Sequence, residues 1–306
     1  MLLENKILER NKIFKQIRDF FEQKKVLEVD TSLLREFSVT DPYMAAFSVV
    51  SPSGKHQGYL QTSPEYAMKK LLCSGSGDIY QLGKMFRADE NGAIHACEFT
   101  MLEWYRLGFD HYQLMREVSQ LIQQIVGEKE TQILSYQEVF LSGLSIDPFT
   151  ITAEKLAQKT IDLLGDIPDK LLFDNYLSLL FSVKIEPRFD PNKITIVHGF
   201  PESQASLAKT RSENGRVTAD RFEVYLAGME LANGFNELTD SELQYQRFQQ
   251  DNQIRKQFGS AEIEIDHGFI QALEKGLPDC AGVALGVDRL LMIKLGRDNI
   301  KDVILA

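Results

Sequence analysis

The chain has 306 residues, 43% of them hydrophobic, enough for a large core in one big domain or two small ones. Acidic side chains outnumber lysine plus arginine 44 to 34, and the formal charge of −10 disfavours generic nucleic-acid binding while leaving room for a local basic patch. Three widely spaced cysteines, Cys73, Cys97 and Cys280, make no CxxC pair or metal-ligand spacing and point to reduced thiols in a cytoplasmic protein.

The opening segment MLLENKILERNKIFKQIRDFF carries charges throughout and lacks the unbroken apolar core of a signal peptide. No run reaches the roughly 20 apolar residues of a membrane helix, so a soluble protein without membrane contact is expected. Leu3, Ile7, Ile13, Phe14, Ile17, Phe20 and Phe21 recur at helical spacing and predict a first helix to about Lys24. LEVDTSLL (27–34) alternates like a strand, and GYLQT (58–62) and DIYQLG (78–83) are short strands around the helix SPEYAMKKLLC. SPE offers that helix a serine N-cap, a proline in the first turn and an early glutamate. Residues 86–109 read as two long strands joined by ADENGAIHA, followed by an amphipathic helix, HYQLMREVSQLIQQIV (111–126), with Leu114, Val118, Leu121, Ile122 and Ile125 on one stripe.

From about 127 to 192 the pattern is mostly helical, and no Pro/Gly/Ser-rich linker bounds it, so it reads as a helical insertion in one domain spanning 1–306. KITIVHGFP (193–201) is a strand, RFEVYLAGMELANGFNEL (221–238) a hairpin, SELQYQRFQQDNQIRKQF (241–258) a helix, and GVALGVDRLLMIKLG (282–296) a strand entering a helix. Strands joined by tight turns imply an antiparallel sheet flanked by helices, an α+β fold.

Two hairpins and the glycine-broken strand carry the candidate chemistry. In RFEVYLAGMELANG, a two-residue turn at Ala227-Gly228 pairs Leu226 with Met229 and Tyr225 with Glu230. Glu223 then shares a face with Tyr225 and lies diagonal to Glu230. Two such carboxylates repel each other unless a cation lies between them, and Mg²⁺ carrying ATP phosphates suits the pair. Two solvated glutamates on an edge strand fit the same pattern. Asn233 and Glu237 have the opposite parity and join that face only through a bulge in ANG, for which Gly234 is suited.

In FRADENGAIHACEFTMLEWY (86–105), Arg87 and either Glu103 or Tyr105 are candidates for a common cleft, with the arginine clamping a phosphate. Cross-strand ion pairs on a solvated sheet fit equally. In GVALGVDRLL, Gly282 and Gly286 would let the strand approach a flat ligand and Arg289 would hold a terminal phosphate; a packed glycine pair with a capping Asp288 is the alternative. There is no P-loop or dinucleotide fingerprint. His56, His95, His111, His198 and His267 form no i,i+4 metal pair, and only His95, in the loop beside Arg87, stands out.

Together these segments resemble class II aminoacyl-tRNA synthetases. VLEVDTSLL looks like their first, dimer-forming motif, FRADENGAIHACEFTMLEWY like the second and GVALGVDR like the third. TSPEYAMKKLL, EFTMLEWY and ELANGFNEL resemble the lysyl-tRNA synthetase catalytic domain in particular. Ala284 stands where those enzymes carry glycine, and because the motifs begin almost at Met1 the anticodon-binding barrel of those enzymes is not expected here. SQASLA (203–208) and PDCAGVALGVDR (278–289) are similar to the stand-alone elongation factor P–(R)-β-lysine ligases, and the chain is identified as a member of that family over about Leu8 to Ile304.

The resemblance implies a class II aminoacyl-tRNA synthetase-like catalytic domain with ATP as substrate, Mg²⁺ as cofactor, (R)-β-lysine and elongation factor P as partners, and a homodimer. It implies that Arg87 grips the α-phosphate, with Asp89 and His95 in the same loop around ATP, and that Arg289 holds the γ-phosphate. Glu223 and Glu230 would bind Mg²⁺, with Glu230, Leu231 and Gly286 lining the nucleotide site. Ser63, Glu65, Tyr105 and Glu237, helped by Glu103 and Asn233, would bind the amino acid. Departures from the family are Ala96 and Cys97 in HACEF, where HNPEF is usual, Asp89 for glutamate and Ser32 for proline. Two other readings are a truncated lysyl-tRNA synthetase, against which Ala284 and the acidic charge argue, and a non-catalytic paralogue that binds an amino acid or adenylate. A tRNA substrate is not expected.

Overall fold

The structure, a computed structural model, describes residues 3–168, 171–213 and 215–305. Two compact units emerge: Met1–Glu128 with Glu237–Ala306, and Lys129–Asn236.

The first unit opens with helix α1 (Leu3–Gln23), followed by the short strands β1 (Leu27–Glu28), β2 (Leu34–Arg35), β3 (Ser48–Val50) and β4 (His56–Leu60). Helix α2 (Glu65–Cys73), the long strands β5 (Ile79–Phe86) and β6 (Glu98–Leu107) and helix α3 (His111–Val126) complete its N-terminal part. Within it, β6 lies between β5 and a later strand, Cys280–Gly286, both antiparallel to it, while β1 pairs with β5 in parallel. β4 lies between β2 and β3 in a small second sheet.

Alternation along β6 separates two environments. Trp104 faces the helices: Phe21 of α1 packs against its ring with centroids 5.4 Å apart, and its indole N–H donates to Glu117 of α3 at 3.1 Å. All five apolar residues of the expected α3 stripe are buried, and Asp110 and Gln113 close a capping box at its start. Glu103 and Tyr105 point to the other face.

Four expectations need correction. LEVDTSLL is not one strand: β1 and β2 belong to different sheets, and between them the Thr31 N–H bonds the Gln81 side chain at 3.1 Å instead of a strand neighbour. DIYQLG and the start of FRADENG form one strand, β5, which ends just before Arg87. Helix α2 has Pro64 rather than Ser63 at its cap position, leaving Ser63 one residue outside the helix. The first two turns of α1 also leave Leu3 and Ile7 exposed, so the buried stripe begins only at Arg10 and Ile13.

The second unit contains β7 (Thr131–Ser135), helices α4 (Tyr136–Leu144), α5 (Ala153–Leu164) and α6 (Phe173–Leu180), and strands β8 (Ile194–Pro201), β9 (Thr210–Glu213), β10 (Arg216–Leu226) and β11 (Met229–Asn236). β10 pairs antiparallel with β8, β9 and β11, while β7 runs parallel to β8. Its core packs Tyr136, Phe140, Leu177, Phe181, Phe200 and Tyr225 together. Of the segment expected to be mostly helical, about 127–192, helices dominate 136–188, while Thr131–Ser135 forms the strand β7 instead.

The chain returns to the first unit through α7 (Ser241–Gln257), α8 (His267–Gly276), β12 (Cys280–Gly286) and α9 (Val287–Leu295). Asp240 caps α7 and Asp266 caps α8 by accepting from Leu243 and Phe269 N–H groups. Among the described residues no helix is long and apolar enough to cross a membrane.

Candidate active site

The register of β5, β6 and β12 sets one side of a largely buried acidic cluster. Glu103 pairs with Gln81 on one side and Ala284 on the other; Tyr105 pairs with Ile79 and Gly282. The Tyr105 hydroxyl donates to Glu103 Oε1 at 2.7 Å, while Glu103 Oε2 is buried without a hydrogen-bond partner. Glu237 is anchored by its own N–H, which donates to the Cys280 carbonyl at 3.0 Å. From α2, Glu65 and Lys69 project one helical turn apart. The Lys69 ammonium is 2.6 Å from Glu65 Oε1 and 2.5 Å from Glu237 Oε2.

Gly282 faces this cluster. A Cβ there would overlap the Tyr105 ring and the Glu237 carboxylate, so two protein side chains, not a flat ligand, require the glycine. Gly286 has ordinary room: a Cβ would meet Arg289 at 3.7 Å or beyond.

Burial sets the charges. It pushes the Glu103 carboxyl up to about 8, with the Glu65 charge adding to the effect and the Tyr105 hydrogen bond opposing it. Burial likewise pushes Glu237 up to about 7, against the pull of the Lys69 charge. Burial also disfavours the Lys69 ammonium, but the charges of Glu237 and Glu65 outweigh it and raise the group above the usual lysine value.

A second cluster follows β5. Arg87 donates its N–H to the Cys97 carbonyl at 2.9 Å; its guanidinium lies 3.6 Å from Glu90 and over the Phe99 ring at 5.2 Å. It does not contact Glu103 or Tyr105, because it lies beyond the strand end. Asp89 adopts φ 63°, a left-handed turn within the loop. Arg289, in the first turn of α9, donates to His95 Nε2 at 2.7 Å and to the Ile94 carbonyl at 3.3 Å. Burial and then the Arg289 charge lower the His95 pKa, so the ring is a neutral acceptor. The loop and the α9 start thus bring Arg87, His95 and Arg289 together. The preceding Asp288 is buried: it accepts from Arg10 of α1 at 2.6 Å and from the Thr100 N–H at 2.6 Å.

In the second unit, Ala227 and Gly228 have φ of 53° and 73°, the turn that pairs Leu226 with Met229 and Tyr225 with Glu230. A bulge does occur, but at Leu231 rather than in ANG. It puts Asn233 directly opposite Glu223, with Glu230 diagonal, so these three belong to one face. The carboxylate pair already has a cation: Arg221 donates to Glu223 at 2.5 Å, and the charges of both Glu223 and Glu230 raise its pKa against the cost of burial. The Tyr225 hydroxyl donates to the other Glu223 oxygen. Among the described residues no group of three or more His, Cys, Asp or Glu forms a metal cage. Two carboxylates are nonetheless a donor set suited to Mg²⁺, which takes few protein ligands alongside phosphate oxygens.

A family profile described as tRNA synthetases class II (D, K and N) matches residues 2–305. This chain belongs to the class II tRNA synthetase family. Within that family its similar proteins include three called elongation factor P–(R)-beta-lysine ligase. The one from Photorhabdus laumondii is 49% identical over 306 residues, that from Histophilus somni 48% over 302, and that from Proteus mirabilis 49% over 305. In each case the match covers 97% of this chain and 93% of the relative. The α+β class expected from strand order and motifs is that of the class II synthetase domain.

Two charged residues of this class II domain were not singled out in the sequence. Lys69 lies within TSPEYAMKKLL, four residues after Glu65, a spacing that signals a helical ion pair but not a shared third partner. Arg221 opens RFEVYL with the parity of Glu223, which places both on one face.

Proposed function

We propose that this chain is an ATP-dependent ligase that activates (R)-β-lysine as an adenylate and transfers it to the ε-amine of a lysine on elongation factor P. The observation that carries this reading is the cluster of buried Glu103 and Glu237 with the half-buried Glu65, three carboxyl groups around a single ammonium. Such a site favours a cationic substrate, because a buried ammonium needs carboxylate partners. The names of the relatives supply the identity of the amino acid and the acceptor.

In this mechanism Ser63, Glu65, Glu103, Tyr105, Asn233 and Glu237 hold the amino acid. Its carboxylate attacks the α-phosphorus of ATP and pyrophosphate departs. Arg87 stabilises the charge developing on the α-phosphate, Arg289 holds the γ-phosphate, and Asp89, His95, Glu230, Leu231 and Gly286 frame the nucleotide. Glu223 and Glu230 would hold a Mg²⁺ ion, which when bound would offset phosphate charge. The neutral ε-amine of the acceptor lysine then attacks the adenylate carbonyl, loses its proton and expels AMP, leaving an amide.

We take residues 1–306 as one catalytic domain working in the cytoplasm, with no tRNA substrate. A homodimer through the VLEVDTSLL segment is supported by Leu27 and Leu34, which are 62% and 44% exposed. The decisive experiment is the intact mass of elongation factor P after incubation with this protein, ATP, Mg²⁺ and either (R)-β-lysine or α-lysine. A gain of one lysyl unit, faster with the β isomer, is expected; no gain with either isomer from folded protein rejects the ligase reading.

A further inference from the structure

Lys69 has no part in the chemistry above, yet it is among the most deeply buried charges of the first unit, with 1% of its side chain exposed. A buried ammonium is tolerated only with close anionic partners. Lys69 has two, and they come from different places: Glu65 from its own helix, Glu237 from the segment tied to Cys280. Without a cation between them these carboxylates repel each other.

The cluster counts three carboxyl groups and one ammonium. Tyr105 donates to Glu103, and the Gly282 N–H bonds Glu237. Glu103 Oε2 has no hydrogen-bond partner. An acceptor left bare in a buried acidic cluster is where a donor from outside fits. Lys69 fills the gap between Glu65 and Glu237 but leaves this oxygen bare.

We propose that Lys69 is a positioning residue for the substrate: its ammonium clamps Glu65 and Glu237 together so that the remaining acceptors of the cluster, Glu103 Oε2 foremost, meet the substrate's ammonium. The clamp rests on the ligase reading for the identity of that substrate. The groups that face Glu237 are Lys69 and Glu65 from α2, Glu103 and Tyr105 from β6, and the Gly282 N–H from β12. Lys69 is the only full positive charge among them. Removing it makes Glu237 harder to ionise, so substrate binding then needs a higher pH.

The test is amino-acid-dependent ATP–pyrophosphate exchange with (R)-β-lysine, on wild type, Lys69→Met and Lys69→Arg. The expected result for Lys69→Met is a KM for the amino acid raised on the order of 10- to 100-fold, with the KM for ATP and kcat nearly unchanged. Its KM-against-pH curve moves to higher pH by about one unit or more. Lys69→Arg keeps the charge with altered geometry, so it has a smaller KM defect and an unmoved pH curve. A folded Lys69→Met enzyme with unchanged KM and pH curve overturns the clamp. If Lys69→Met does not fold, Lys69→Arg decides: unchanged KM, or a loss confined to kcat, overturns it. If wild type shows no exchange, the ligase reading falls, and the clamp is read from calorimetric binding of (R)-β-lysine and α-lysine to the same proteins. Equal affinity of wild type and variant, or no binding to wild type, rejects it.

Discussion

Arg10 and Asp288 form a buried ion pair at 2.6 Å that fastens α1 to the start of α9. The second Asp288 oxygen accepts the Thr100 N–H, and Arg10 also donates to the Thr100 hydroxyl at 2.5 Å. The next residue is Arg289, so this three-way junction fixes the helix turn that carries it. Arg10→Ala leaves the Asp288 charge buried and unpaired, which should cost about 3–5 kcal/mol of stability. Urea unfolding checks it; a loss below about 1 kcal/mol would show that water or another cation replaces Arg10.

Glu237→Gln removes a fully buried carboxylate from the acidic pocket. Substrate binding should weaken by about 2–5 kcal/mol, the usual cost of breaking a desolvated charge pair. Calorimetric titration with the amino acid measures the loss directly, and ATP affinity should change little.

Arg87→Ala should abolish adenylate formation while leaving the fold intact. The side chain rests on Phe99 and near Glu90, 25% exposed, and is no part of the core. ATP–pyrophosphate exchange together with far-ultraviolet circular dichroism provides the check; an active Arg87→Ala enzyme would remove it from the reaction.

Ligand-free stability should fall as pH rises from about 5 to about 8. Burial pushes Glu237 up to about 7 and Glu103 up to about 8, both above their unfolded value near 4.5. Across that window these two carboxyls hold more protons in the folded protein than in the unfolded chain, so their contribution to stability falls with each rise in pH. The midpoint of thermal unfolding should drop over this range, and Glu103→Gln should flatten the drop. A substrate ammonium favours the ionised carboxyls, so binding near neutral pH should release protons. Calorimetry in buffers of different ionisation enthalpy should therefore give different apparent heats; identical heats would contradict the assignment.

Much of the fold was legible where one local rule acts alone. The α3 stripe follows from helical period, and the Ala227-Gly228 turn fixed the first two pairs of its hairpin. What followed depended on tertiary context. Gly234 looked like the bulge site, but the extra residue is Leu231, whose side chain is 2% exposed and buried in the core. Thr31 and Gln81 are 50 residues apart, and their hydrogen bond ends what the alternation in LEVDTSLL suggested. Glu65, Glu103, Tyr105 and Glu237 entered as substrate residues through family motifs, and the fold brings all four together. That Glu65 and Glu237 share Lys69 was not legible, since no spacing in one chain shows that a helical ion pair has a third partner 168 residues after Lys69.

Because the missing side chain of Gly282 is the space in which Tyr105 and Glu237 meet, these three positions cannot drift one at a time. A larger residue at Gly282 is tolerated only after its neighbours have shrunk, and a smaller Tyr105 alone leaves a hole. Substitutions that touch in this way do not add. The evolutionary route to a different amino acid therefore runs through coordinated changes, and a directed library should randomise Tyr105, Glu237 and Gly282 together.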